Sequence, residues 1–276
     1  MKNNVSPPTS LKSLVKSFSI NFDLISQMTK REIIGRYKGS ILGLLWAFFN
    51  PLFMLSIYTF IFSVVFKARW GTVGDQSKAQ FAMILFVGMI VHTLFMEVLT
   101  RAPVLVTGNV NFVKKIIFPL EVLPFVSIAT AIFHSAVSLF VLVISSFILN
   151  GYINWTILLI PVVLFPFILF ILGIAWILSS LGVYFRDVGP IISLLTTVLM
   201  FASPVFYPIS SLPIELQSWV LLNPLSFIIE ESRKVIIFGE IPNWNGIGFY
   251  TLVSLLVMKL GYFWFQKTKR GFANVL

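Results

Sequence analysis

The sequence predicts an all-α integral membrane protein with six transmembrane helices and both ends in the cytoplasm (N-in, C-in). An N-terminal amphipathic helix lies on the membrane surface, and two short outer re-entrant helices fall between spans five and six. Three observations lead to this fold. Of 276 residues, 58% are hydrophobic and 11% charged, more apolar surface than a soluble domain can bury. The apolar residues fall in runs long enough for a bilayer core, which takes ~20 residues of helix. Lys and Arg collect on alternate connections, as the positive-inside rule requires.

The elements follow in order. Residues 1–10 are expected to be disordered. Over residues 11–38, Leu11, Leu14, Val15, Phe18, Phe22, Ile25 and Met28 keep helical spacing, with Lys12, Lys16, Ser19, Asp23, Gln27 and Lys30 opposite. Such a helix lies along the cytoplasmic leaflet; a plain lipid anchor is the simpler account. No short apolar core with a small-residue cleavage site precedes the first span, so that span is expected to stay in the mature protein.

The spans fall at about 41–66, 79–100, 120–149, 154–184, 189–207 and 246–266. The first carries no charged side chain over 26 residues. Residues 122–185 run 64 residues without Asp, Glu, Lys or Arg. At 1.5 Å per residue that is ~96 Å of helix, so the segment folds back. The polar stretch from Asn150-Gly151 to Asn154 supplies the turn. Residues 208–244 form the outer re-entrant region. Ser211 and Pro213 signal a helix start, Asn223-Pro224 stops it, Ser226 can cap a second helix, and Gly239 ends that one. Ile214, Leu216, Trp219, Phe227 and Ile228 are too apolar for a free loop, and a re-entrant turn must pack on protein.

Seven Lys and Arg precede span one, three lie between spans two and three, Arg186 adds one, and the tail adds Lys267, Lys269 and Arg270. The proposed outside holds five: Lys67, Arg69, Lys78, Arg233 and Lys234. The split of 14 to five supports the orientation. The net charge of +10 therefore reflects membrane topology and anionic lipid, not nucleic acid. The absence of cysteine excludes disulfides and thiolate chemistry.

Catalytic signals are weak. No P-loop motif occurs, so the chain cannot cradle nucleotide phosphates that way, and no clustered His, Asp and Glu suggests a metal. A membrane glycosyl- or acyltransferase thus lacks its acid–base set. His92 and His134 stand alone in apolar helices and suit helix packing. Glu97 and Arg101, four residues apart, suit an intrahelical pair at the membrane edge. Glu121 suits a similar pair with Lys114 or Lys115. Lys259 can snorkel. Gly35, Gly39, Gly43 and Ala47 recur every four residues; this permits either a close helix approach or a bend at the bilayer entry. Trp46, Phe49, Phe53 and Phe60 share a face of span one, and span five offers Phe201, Phe206 and Tyr207. Aromatic faces pack on sugar C–H groups, or serve as lipid-facing bulk.

Together these residues identify a family. The chain resembles the membrane subunit of ABC-2-type polysaccharide exporters: the O-antigen, teichoic-acid and capsule permeases. The resemblance rests on REIIGRYKGSILGLLWAFFNPLF (31–53), KKIIFPLEVLP (114–124), YFRD (184–187), SPVFYP (203–208), NPL (223–225) and the closing FANVL, in order over nearly the whole chain. It implies one ABC-2 type transmembrane domain over residues 1–276. It also implies a partnership of two copies of this chain with two copies of a separate P-loop ATPase, which binds ATP and Mg. No cofactor is expected in this chain. The implied cargo is a lipid-linked polysaccharide, O-antigen first, crossing the bacterial inner membrane; a drug- or lipid-exporting ABC-2 permease shares the same plan. The implied ATPase-coupling residues are Arg31, Glu32, Arg36 and Tyr37 on a gate helix, and Phe112, Lys114 and Lys115 on a coupling loop. The implied glycan channel uses Trp46, Phe49, Phe53, Phe60, Phe201, Phe206 and Tyr207. The gate and its joint involve Gly35, Gly39, Gly43 and Pro224.

Overall fold

The structure is a computed structural model that describes residues 11–61, 78–114 and 118–276. All regular structure among these residues is helical. Among the described residues, five helices are long and apolar enough to cross a membrane: Gly43–Ile61, Gln80–Val104, Leu120–Leu149, Trp155–Tyr184 and Trp244–Val275. The expected residues 1–10, 62–66 of span one, and Lys67, Arg69 and Lys115 lie outside the described residues.

The N-terminal segment is two helices, α1 (Leu11–Ile20) and α2 (Phe22–Tyr37), rather than one. Asn21 breaks it by turning its side-chain amide onto the Ser17 carbonyl at 2.7 Å, a local bond that competes with helix continuation. Leu14 and Ile25 are buried, whereas Val15 and Phe22 stay exposed. Helix α3 (Trp46–Tyr58) follows, then α4 (Lys78–Arg101), the short α5 (Val110–Lys114) and α6 (Leu123–Asn150).

Helix α4 is the centre of the molecule. Its apolar window is 78% buried, against 11% for the first span, because α3, α6, α7, α8 and α10 all pack on it. A helix that is apolar all round can be buried all round. The expected turn between α6 and α7 (Ile160–Tyr184) forms at Gly151, whose φ of +76° is the left-handed cap that favours glycine.

Helices α7 and α11 (Trp244–Thr268) make the tightest pair. A Cβ on Gly261 would fall 2.0 Å from the Gly173 carbonyl oxygen, and one on Gly173 would fall 2.6 Å from Val257. These glycines let the two backbones touch.

The fifth predicted span, 189–207, is shorter than expected: α8 covers Val188–Ala202. It stops because Ser203 precedes Pro204 and is extended (φ −106°, ψ 156°). Two short helices follow, α9 (Ile214–Leu222) and α10 (Pro224–Arg233). Asn223, not Ser226, caps α10, accepting from the Leu225 N–H at 3.0 Å. Gly239 closes the turn after α10 with φ +70°. A last short helix, α12 (Phe272–Val275), folds back beneath α7.

Candidate functional site

The joint between α2 and α3 turns on two glycines, Gly39 (φ +87°) and Gly43 (φ +52°). No atom lies within 4 Å of where a Cβ on Gly35, Gly39 or Gly43 would stand. Of the two accounts of this glycine series, the geometry favours the bend over a close helix approach. Close approaches occur instead at Gly173, Gly261 and Gly182, the last against the Pro103 carbonyl.

Beyond the joint, Trp46, Asn50, Met54 and Tyr58 recur every fourth residue along α3. They face Arg36, Tyr37, Glu97, His134 and Ser138 across a cavity of about 360 Å³. Trp46 sits at the border of this face. Phe49 and Phe53 lie on the adjoining stripe, with ring centroids 6.3 Å apart, and Phe53 and Phe60 point outward. Of the expected aromatic face, Trp46 lines the cavity and Phe49, Phe53 and Phe60 do not.

A polar network crosses the cavity wall and corrects one expected pairing. Glu97 does not pair with Arg101 along α4. Its carboxylate accepts from Arg36 Nη1 at 2.5 Å and lies 2.8 Å from His134 Nδ1. Arg101 pairs with Glu32 instead. Both α4 side chains thus reach to α2, and His134 of α6 serves helix packing through its bond to Glu97 of α4. Edge contact with Tyr37 at 6.2 Å braces the imidazole. Burial pushes the Tyr37 phenol up; Arg36 beside it lowers it and Glu97 raises it again, so it stays neutral near pH 7. His92 does serve helix packing: its Nε2 lies 3.0 Å from the Thr196 carbonyl of α8. Arg31 is exposed on α2 and takes no part in the network.

A second cluster closes the end of α8. Phe201 and Phe206 lie 5.7 Å apart, and Tyr207 donates to the Phe201 carbonyl at 3.0 Å. Pro224 opens α10, and its carbonyl accepts from Tyr250 at 3.1 Å. Asn223 Nδ2 donates to Ser203 Oγ at 2.8 Å, tying this joint to the end of α8. Arg233 is wholly buried behind it. It donates to the Ile84 carbonyl at 3.1 Å, the Val205 carbonyl at 2.9 Å and Glu230 at 2.7 Å. Burial draws its guanidinium down to about 10, so it remains charged at neutral pH. The charge count places Arg233 on the outer face, whereas the structure buries it as a clamp; its three-residue spacing from Glu230 is the signal the sequence carries.

A third cluster surrounds α5. Phe112 stacks on Phe118 at 4.4 Å, and Lys114 donates to the Leu276 carbonyl. Glu121 pairs with Lys269 of the tail at 2.6 Å, not with Lys114. Among the described residues no three His, Asp or Glu side chains converge on a metal-sized site.

Five apolar helices, internally paired charges and a polar joint beside the first span define a multi-pass α-helical membrane protein. A family model described as ABC-2 type transporter matches residues 23–237, so the chain belongs to the ABC-2 type transporter family. It is 27% identical over 253 residues to the O-antigen export system permease protein RfbA of Myxococcus xanthus, covering 91% of this chain and 94% of that one. A Klebsiella pneumoniae permease of the same name is 27% identical over 92% of this chain and 95% of its own length. The polysialic acid transport protein KpsM of Escherichia coli is 26% identical over 87% and 92%.

Proposed function

We propose that this chain is the transmembrane permease subunit of an ATP-driven exporter that carries a lipid-linked polysaccharide, O-antigen first, across the bacterial inner membrane. Near end-to-end similarity to O-antigen export permeases carries the reading. The similar transport protein that is named for polysialic acid supports a long glycan as the substrate class. Two copies of the chain form the channel. Two copies of a P-loop ATPase bind ATP and Mg and supply the energy, since no phosphate-cradling loop occurs here.

The chain crosses the membrane six times, with both ends inside. Arg31, Glu32, Arg36 and Tyr37 on α2, with Phe112, Lys114 and Lys115 around α5, meet the ATPase. Rotation of α2 about Gly39 and Gly43 reaches α4 through the Arg36–Glu97 pair and reshapes the cavity at Trp46. Phe49, Phe53, Phe60, Phe201, Phe206 and Tyr207 line the sugar path, with the Pro224 joint as its outer gate.

Deleting the gene tests the reading. Lipid-linked glycan should accumulate inside the cell, and surface glycan should return when the gene is restored. Normal surface glycan in the deletion strain refutes it. Lost drug resistance with intact glycan export would move the cargo to drugs or lipids.

A further inference from the structure

The closing FANVL stretch is not a trailing end. Phe272 is fully buried, edge-on to Phe265 with centroids 5.5 Å apart and 6.1 Å from the Tyr184 ring. Tyr184 donates to the Thr268 carbonyl at 3.1 Å, and Ser180 to Thr268 Oγ1 at 2.7 Å, fixing where the tail leaves α11. Gly271 leaves room for the Tyr184 hydroxyl, which a Cβ would approach to 2.5 Å and displace. Two lysines then make polar ties in opposite directions. Lys269, on the tail, reaches Glu121 at 2.6 Å; Lys114, on α5, reaches the Leu276 carbonyl. Of the elements from elsewhere in the chain, α12 is the one α5 packs on most. Glu121 also accepts from Ser17 of α1 at 3.4 Å, and its carbonyl accepts from Trp176 at 3.2 Å. The tail therefore meets α5 directly and α1 through Glu121.

We propose that residues 269–276 are a positioning strap. It holds α5 in register with α1, so that both cytoplasmic segments move as one surface when the ATPase acts. A five-residue helix has too few internal hydrogen bonds to hold itself, and the strap supplies the missing constraint. Phe272 anchors it, and the Lys269–Glu121 pair sets its position. The consequence for coupling rests on the reading that α5 faces an ATPase; the placement of α5 does not.

The 276-residue sequence lacks cysteine, so spin labels on Asn111→Cys and Asn274→Cys report the distance from α5 to the strap in the reconstituted permease alone. A single narrow distance is expected. Lys269→Glu, which sets like charges together, should broaden it, and adding Glu121→Lys should restore it. With the partner ATPase present, permease-stimulated ATP turnover should fall about five-fold in Lys269→Glu and recover in the reversed pair, the scale of a modest coupling energy. An unchanged distance in Lys269→Glu, or no recovery in the reversed pair, overturns the strap. Altered distance with unchanged turnover overturns its role in coupling. If the native permease stimulates no ATPase, the functional reading fails, and the distance measurement alone decides the strap.

Discussion

At the scale of single residues, the charges inside the bundle are constraints on its geometry. Arg233 has no exposed surface and serves two backbone carbonyls and one carboxylate. Its fork joins α4 to the chain beyond α8, and the close seat of Gly88 beneath Nη2, at 3.0 Å for a Cβ, leaves no slack. A buried guanidinium is costly to install, yet removing one partner of such a set costs more, because the others stay buried and unpaired. Arg233→Met should therefore destabilise the protein by about 3 kcal/mol. Arg233→Lys should recover only part of that, since an ammonium cannot reproduce the planar fork. Thermal unfolding in detergent measures both; a Met variant as stable as the native protein would refute the clamp. Arg36 is different. It is about half exposed, so its bond to Glu97 can open to water, which suits a joint better than a clamp.

At the scale of elements, glycine divides into two uses that identical letters conceal. Gly35 sits in α2 with open space around it, while Gly261 sits in α11 against the Gly173 carbonyl. Gly35→Ala should stabilise α2 by about 0.5–1 kcal/mol, the helix preference of alanine over glycine. Gly261→Ala must push α7 and α11 apart and should cost about 3 kcal/mol, the upper range of overpacking. Unfolding temperatures of the two variants should move in opposite directions. The same contrast explains what the sequence disclosed. Span existence, the Gly151 turn and the two short helices at 214–233 were legible, because apolar length, turn residues and Asn-Pro are local signals. The pairings Glu97–Arg36, Glu121–Lys269 and Arg101–Glu32 were not. Spacing along one helix suggested nearby partners, and only the packing of α2 and the tail on the bundle brings distant ones closer. Asn223 takes the cap expected of Ser226 because Pro224 fixes the first turn of α10 three residues earlier.

At the scale of the whole molecule, the topology turns on α8. Its 15 residues give about 22 Å of helix, short of a bilayer core. Charge alone decides little. If α8 did not cross, the tail would lie outside with Lys267, Lys269 and Arg270, and Arg233 and Lys234 would lie inside, giving 13 to six in place of 14 to five. Packing discriminates better. The α6–α7 turn is tied to the residues just after α10: Asn154 donates to the Ile237 carbonyl at 3.1 Å and Thr156 to the Val235 carbonyl at 2.6 Å. At the opposite end of these helices, Tyr184 meets Thr268 and Lys269 meets Glu121. The chain leaves α7 at the Glu121 end and enters α11 at the turn end, so α8 and the residues after it carry it from one end to the other. This supports six crossings, with the short helix completed by the extended Ser203 and the packed residues after it. Single cysteines in the cysteine-free chain test it. An impermeant maleimide on intact cells should label Tyr152→Cys and Asn245→Cys, and should reach Asn111→Cys and Asn274→Cys only after permeabilisation. Five crossings would reverse Asn245 and Asn274 while leaving Tyr152 and Asn111 unchanged, so that pattern would assign α8 to one side of the membrane.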